Sequence, residues 1–212
     1  MIDYTETVIA KKTGIPIVWD HRNAMVEALC ERDSVGAEVG VLGGNHAKEI
    51  LEIAQPSKLT LIDLWDGTKI NYRVIGTTVA EIKKMPRKIA RAEAGIQLFR
   101  YIKEHFADEV AQGIVNIKKG YSTEVAKEIE GGSLDWVYID AAHDYDNVIA
   151  DLEAYYPKVK SGGLILGHDY SYRIKNGGVI RAVETFLERH SNVEFIGISG
   201  ERPSPSFALR KN

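Results

Sequence analysis

Four residues at the ends of two apolar segments have the types and spacing to do chemistry. The first segment, 134–139, runs into Asp140 and His143. The second, 162–167, runs into His168 and Asp169. An imidazole titrates near neutral pH, which makes His143 the candidate general base. Asp140, His168 and Asp169 are the candidate metal ligands. Carboxylate oxygens suit magnesium or manganese, and an imidazole in the set shifts preference toward manganese, iron or zinc. His143, His168 and a carboxylate such as Asp140 could also form the facial triad of a non-haem iron oxygenase.

These groups meet only if the two segments lie side by side. Each segment reads as a short strand, and the helix-length stretch 145–160 joins them. A strand, a crossover helix and a second strand make a parallel pair, with both polar ends at one sheet edge. That edge, outside the carboxyl ends of the strands, is where open α/β sheets bind ligands.

The rest of the chain repeats the alternation. Strands are expected over 37–42, 59–64 and 114–117, and helices over 20–31, 46–54, 92–110 and 123–129. A helix over 179–189 precedes final strands over 193–198 and 205–209, a candidate antiparallel closing pair. The fold class is α/β: a Rossmann-like, doubly wound, mostly parallel seven-stranded sheet with helices on both faces. The 212 residues suit one domain, with 1–36 an N-terminal helical segment and 66–90 an irregular lid or acceptor-pocket insertion. In the 92–110 helix, Ile96, Phe99, Ile102 and Phe106 are the expected apolar face. In the 145–160 helix, Val148, Leu152, Tyr155 and Val159 form the core stripe.

A second constellation lies at the first two strand ends. Glu38, Gly40, Gly43 and Gly44 precede a helix whose free amides and positive end can receive a ligand. Glycines there let the backbone turn sharply and approach closely. Asp63, nineteen residues beyond Gly44, can accept from both hydroxyls of a ribose. The spacing departs from the dinucleotide fingerprint, and there is no phosphate loop ending in Gly-Lys-Ser/Thr.

The turn, Asp63 and the two strand ends together resemble the class I S-adenosylmethionine-dependent methyltransferases across residues 37–170. The match is to the bacterial small-molecule O-methyltransferases, a group related to macrolide-sugar O-methyltransferases and to proteins labelled cephalosporin hydroxylase. The resemblance implies that Glu38, Gly40, Gly44, Asp63, Tyr121, Ser122 and Asp140 contact S-adenosylmethionine. It also implies that Asp140 and Asp169 bind a divalent metal, and that His143 is the base. Two positions depart from the pattern. Many relatives carry Gly-Asp-Ser where this chain has Gly120, Tyr121 and Ser122, so that Tyr121 would stack on adenine. His168 stands where relatives often carry an acid.

Other residues have plainer expected roles. Asp144 and Asp146 read as helix caps, and Asp140 could cap too. Glu38 could orient the glycine turn through backbone amides. His46 reads as a capping or surface residue, and His21, His105 and His190 as surface. Trp65 divides between packing and ligand contact, while Tyr145 and Tyr170 read as packing. Cys30, the single cysteine, reads as a buried structural thiol and excludes a disulfide and a thiolate zinc site.

The net charge of −3 gives no electrostatic reason to expect nucleic acid. The basic run from Lys83 to Arg91 reads as a solvated helix face or a lid contact. No stretch approaches about 20 apolar residues, so no membrane span is expected. With no basic-then-apolar start to the chain, a cytoplasmic location is expected. The expected function is metal-assisted O-methylation of a small hydroxylated acceptor, with a homodimer through the N-terminal helix as a further expectation. A non-haem iron oxygenase and a non-catalytic nucleotide-binding module are the alternatives, since fold does not fix function.

Overall fold

The computed structural model describes residues 14–67 and 87–212. Most of the expected insertion at 66–90, residues 1–13 and the side chains of the basic run therefore lie outside the described residues.

Among the described residues, eight strands form one sheet. They are β1 (Ile17–Trp19), β2 (Val35–Val39), β3 (Lys58–Asp63), β4 (Val115–Lys119), β5 (Leu134–Ile139), β6 (Val159–Gly167), β7 (Val193–Ser199) and β8 (Phe207–Lys211). Their order is β1-β7-β8-β6-β5-β2-β3-β4. Strand β8 runs antiparallel to both neighbours, and every other pairing is parallel. The helices are α1 (Arg22–Leu29), α2 (Asn45–Ile53), α3 (Arg87–His105), α4 (Ala107–Ala111), α5 (Ser122–Ala126), α6 (Tyr145–Tyr155) and α7 (Gly178–Arg189).

The mostly parallel sheet and antiparallel closing strand match expectation, with one strand more. β1 pairs with β7 at the sheet edge. It is three residues long with Ile17 and Val18 exposed, too short and too open to show an alternating pattern.

The central strands read as apolar runs because both faces are covered. One core cluster contains Val137, Ile139, Leu152, Ile165 and Phe186, and the other Leu59, Leu61, Trp136, Tyr138 and Leu166. The expected 145–160 helix ends at Tyr155. A 3-10 turn carrying Pro157 follows, and Val159 begins β6. The expected 92–110 helix starts earlier and divides at Phe106. Its buried face is Ala94, Leu98, Ile102 and Phe106, whereas Ile96 is 52 % exposed. At 100° per residue, Ile96 lies about 140° from the centre of that stripe.

Cys30 is buried, and burial pushes its thiol up to about 12, so it stays protonated.

Candidate functional site

Four backbone hydrogen bonds extend the sheet just beyond its regular strands. Gly120 N donates to Asp63 O at 3.0 Å, Gly40 N to Ile62 O at 2.8 Å, Asp140 N to Val39 O at 2.7 Å and His168 N to Ile139 O at 3.1 Å. Five strand ends are thereby fixed along one edge. A cavity of about 690 Å³ opens there. Of the residues singled out by sequence, Glu38, Gly40, Asp63, Tyr121, Ser122, Asp140 and His143 line it.

Gly44 does not line the cavity. It caps α2 at φ +78°, and a Cβ there would lie 2.7 Å from Phe106 Cε2, so its bare side serves packing. Asp63 holds the turn from the neighbouring strand. Its Oδ2 accepts from Leu42 N at 2.8 Å and its Oδ1 from Trp65 N at 2.7 Å. Leu42 and Trp65 both have positive φ, and the indole of Trp65 donates to Leu42 O at 3.0 Å. Trp65 is thus buried packing that also forms cavity wall. Each carboxylate oxygen keeps acceptor capacity after one backbone bond.

Glu38 is fully buried but does not hold the turn. Its Oε1 meets His46 Nδ1 at 3.0 Å, which corrects the surface or capping role expected of His46. Burial raises the Glu38 carboxyl above its ordinary range, and the His46 hydrogen bond opposes this. Glu38 Oε2 and His46 Nε2 are buried without a hydrogen-bond partner. Buried polar atoms are costly when unpaired, so these two call for a partner such as a water or a polar ligand group.

The other candidates form one cluster. His143 Nδ1 lies 2.9 Å from Asp169 Oδ2, and His143 Nε2 lies 3.8 Å from Asp140 Oδ1. One ligand atom from each of Asp140, His143 and Asp169 falls within 4.8 Å of the others, close enough to share a cation. His168 stands beside this group, its Nδ1 3.4 Å from Asp169 Oδ1 and 3.8 Å from Asp140 Oδ1. Its Nε2 is 3.9 Å from Glu201 Oε1, a neighbour the sequence reading did not find. Asp140 and His143 line the cavity, and His168 and Asp169 do not.

Burial raises the Asp140 carboxyl, with nearby Asp169 adding to the effect and the histidines opposing it. Burial also disfavours ionised Asp169, but hydrogen bonds from His143, His168 and Ser204 overcome that and hold its carboxyl well below the usual range. Burial lowers His168, while Asp169 and Asp140 more than reverse this. Asp169 adopts left-handed backbone at φ +58°, an uncommon state for a non-glycine residue at the end of a strand.

Asp144 is the N-cap of α6, as expected. Its side chain accepts from Asn147 N at 3.2 Å, and the Asn147 hydrogen bonds lower its carboxyl. His21 caps α1, and His190 binds Glu153. Tyr145 and Tyr170 pack against the core, as expected. Asp151 on α6 was not foreseen. It is 2 % exposed, lines the cavity and accepts from the Ser122 hydroxyl. A signal was present in sequence. With Val148, Leu152 and Tyr155 it makes the i, i+3, i+4, i+7 set, an acid on the core stripe.

A family profile described as a methyltransferase domain matches residues 37–170. Among curated proteins, none matches the sequence at a significant level. Solved structures share the fold at low identity. Fibrillarin from Aeropyrum pernix, determined with natively bound S-adenosyl-L-methionine, is 13 % identical with a TM-score of 0.57, covering 89 % of this chain and 73 % of that one. An rRNA methylase from Streptococcus thermophilus is 9 % identical with a TM-score of 0.58, covering 90 % and 93 %. A caffeoyl-CoA O-methyltransferase-like protein from Staphylococcus aureus is 16 % identical with a TM-score of 0.55, covering 99 % and 93 %.

Proposed function

The chain belongs to the methyltransferase-domain family, and from that premise we propose an S-adenosylmethionine-dependent O-methyltransferase that acts on a small hydroxylated acceptor. The carrying observation is a single cavity that joins Glu38 and Asp63 to Asp140 and His143. Its volume of about 690 Å³ lies in the range of pockets for drug-sized ligands. Asp63 would hold the ribose. Glu38 Oε2 and His46 Nε2, both without partners, suit the charged amino-acid end of the cofactor. When bound, S-adenosylmethionine supplies an electrophilic methyl group on a sulfonium.

His143 does the proton chemistry. Asp169 fixes the imidazole through Nδ1 and favours the tautomer protonated there, leaving Nε2 to accept a proton from the acceptor hydroxyl. Asp140, Asp169 and His143, with His168 adjacent, also suit a divalent cation, which lowers the pKa of a bound hydroxyl. His143 cannot ligate through Nε2 and act as base through the same atom. A chelator tests whether a cation takes part at all. With His143 as base and a carboxylate-held cation, chelation lowers turnover and manganese restores it. Turnover unaffected by chelation would remove the metal and leave the base.

The carboxylates of Glu38, Asp63, Asp66, Asp140 and Asp151 line the cavity. With the net charge of −3, they favour a small acceptor over a polyanion such as RNA. Among the described residues, no helix is long and apolar enough to cross a membrane.

Titration calorimetry tests the cofactor. S-adenosylhomocysteine is expected to bind at about micromolar strength, or about −8 kcal/mol. Asp63→Ala should abolish binding, because it removes the ribose acceptor and releases the Leu42 and Trp65 amides. No heat with the intact protein would sink the proposal.

A further inference from the structure

Asp151 is a buried carboxylate that none of the roles above uses. It projects from the core face of α6 beneath the loop that ends β4, where its Oδ1 accepts from Ser122 Oγ. The Tyr155 hydroxyl, one turn further on, donates to Ser122 O at 2.9 Å. Helix α6 thus grips this loop at both the hydroxyl and the carbonyl of Ser122. Tyr121 precedes it at the cavity mouth, 67 % exposed.

Asp140 and His143 mark the reacting end of the cavity. Tyr121, Ser122, Asn147 and Asp151 mark another part of the wall, tied to the ribose acid by the bond from Gly120 N to Asp63 O. A nucleoside held by its ribose at Asp63, with its sulfur directed to His143, places its base against that second region. Tyr121 can offer the base a ring face but no anionic acceptor. Of the other acids lining the cavity, Glu38 is bound to His46, Asp63 sits at the ribose position, Asp140 belongs to the reacting end and Asp66 lies three residues beyond the ribose acid, whereas the Asp151 carboxylate bonds Ser122 in the loop after β4.

We propose that Asp151 is the specificity residue for the adenine base, accepting a hydrogen bond from its exocyclic 6-amino group. The inference rests on the S-adenosylmethionine reading. A clamp on Ser122 needs only a neutral acceptor, whereas a carboxylate carries about four lone-pair sites and uses one of them there. Burial pushes this carboxyl up to about 6, the Ser122 hydrogen bond opposing and Asp144 adding to the rise. An unneeded buried acid would not survive that cost as well as an amide or a hydroxyl would. An amino donor from the ligand supplies the missing partner. A purine bearing a carbonyl oxygen at that position would instead face repulsion.

The test compares S-adenosylhomocysteine with its 6-deamino analogue, in which hydrogen replaces the amino group, by titration calorimetry. The intact protein should prefer the amino form by about 10- to 100-fold, the scale of one charge-assisted hydrogen bond. In Asp151→Ala the preference should fall to near unity. Asp151→Asn keeps the shape and one neutral acceptor oxygen, so it should fold in any case and show an intermediate preference. A structural loss would weaken both ligands alike and leave their ratio unchanged. An unchanged ratio in Asp151→Asn and Asp151→Ala would overturn the proposal while S-adenosylhomocysteine binding stands. Binding of neither ligand by the intact protein would overturn the cofactor reading and this inference with it.

Discussion

Replacing His143 with alanine is expected to lower kcat for methyl transfer by about 10²- to 10⁴-fold, the usual contribution of a general base. Affinity for S-adenosylhomocysteine should hardly change, because the hydroxyl that His143 deprotonates belongs to the acceptor, while the cofactor would be held by Glu38, His46 and Asp63. The fold should survive. His143 is half-buried, and Asp169 keeps hydrogen bonds from His168 and Ser204 after the imidazole is gone. The measurement is steady-state turnover with any hydroxylated compound that the intact protein methylates, alongside calorimetry of the cofactor product. A kcat within about twofold of the intact protein, at saturating acceptor, would remove His143 from the proton path. Asp169→Asn should also lower kcat, because an amide in place of the carboxylate no longer holds the His143 tautomer or offers a charged cation ligand.

How far the site could be read from sequence depended on where each residue's partner lay. Asp140, His143, His168 and Asp169 follow apolar strands within one strand–helix–strand unit, and the handedness of that unit is enough to bring them together. The match of Asp144 to a cap was equally local, three residues from its donor Asn147. His46 was misread because its partner, Glu38, lies on the preceding strand and the hydrogen bond forms only when strand and helix come together. Nothing in the sequence around His46 separates a buried imidazole from an exposed one on a first helical turn. The contact of His168 with Glu201 spans 33 positions and depends on how β7 and β8 close the sheet. Asp151 is the intermediate case: the helical period carries a signal of its burial that the sequence reading passed over, while the cavity it faces is formed only with the loop after β4 in place. Asp63 was identified as a ligand acceptor, but its grip on the Leu42 and Trp65 amides is a product of two neighbouring strand ends meeting.

Gly40 carries the largest expected effect on stability, for a reason different from the one its place in a glycine-rich turn implies. Its φ is +98°, and a Cβ there would lie 2.2 Å from Asp140 O, 2.4 Å from Asp140 C and 2.5 Å from Ala141 N. All three are backbone atoms, so no side-chain rotation relieves the clash. The crossing is also pinned from both sides, since Asp140 N donates to Val39 O and Gly40 N donates to Ile62 O. Gly40→Ala should therefore push the ends of β2 and β5 apart. Overpacking costs about 1–3 kcal/mol and an unfavourable backbone region a further 1–3 kcal/mol or so. That is a large part of the roughly 5–15 kcal/mol by which a domain is stable. At about 2–4 °C per kcal/mol for a chain of this size, scanning calorimetry should show Tm lower by roughly 10 °C. The damage falls on both functional regions at once. Displacing Asp140 moves the reacting end of the cavity, and shifting the turn disturbs the Leu42 amide held by Asp63. S-adenosylhomocysteine affinity should accordingly drop even at temperatures where the variant is folded. A variant that melts within about 2 °C of the intact protein would show that the two strand ends can separate without loss, and the tight crossing would then have no part in aligning cofactor and base.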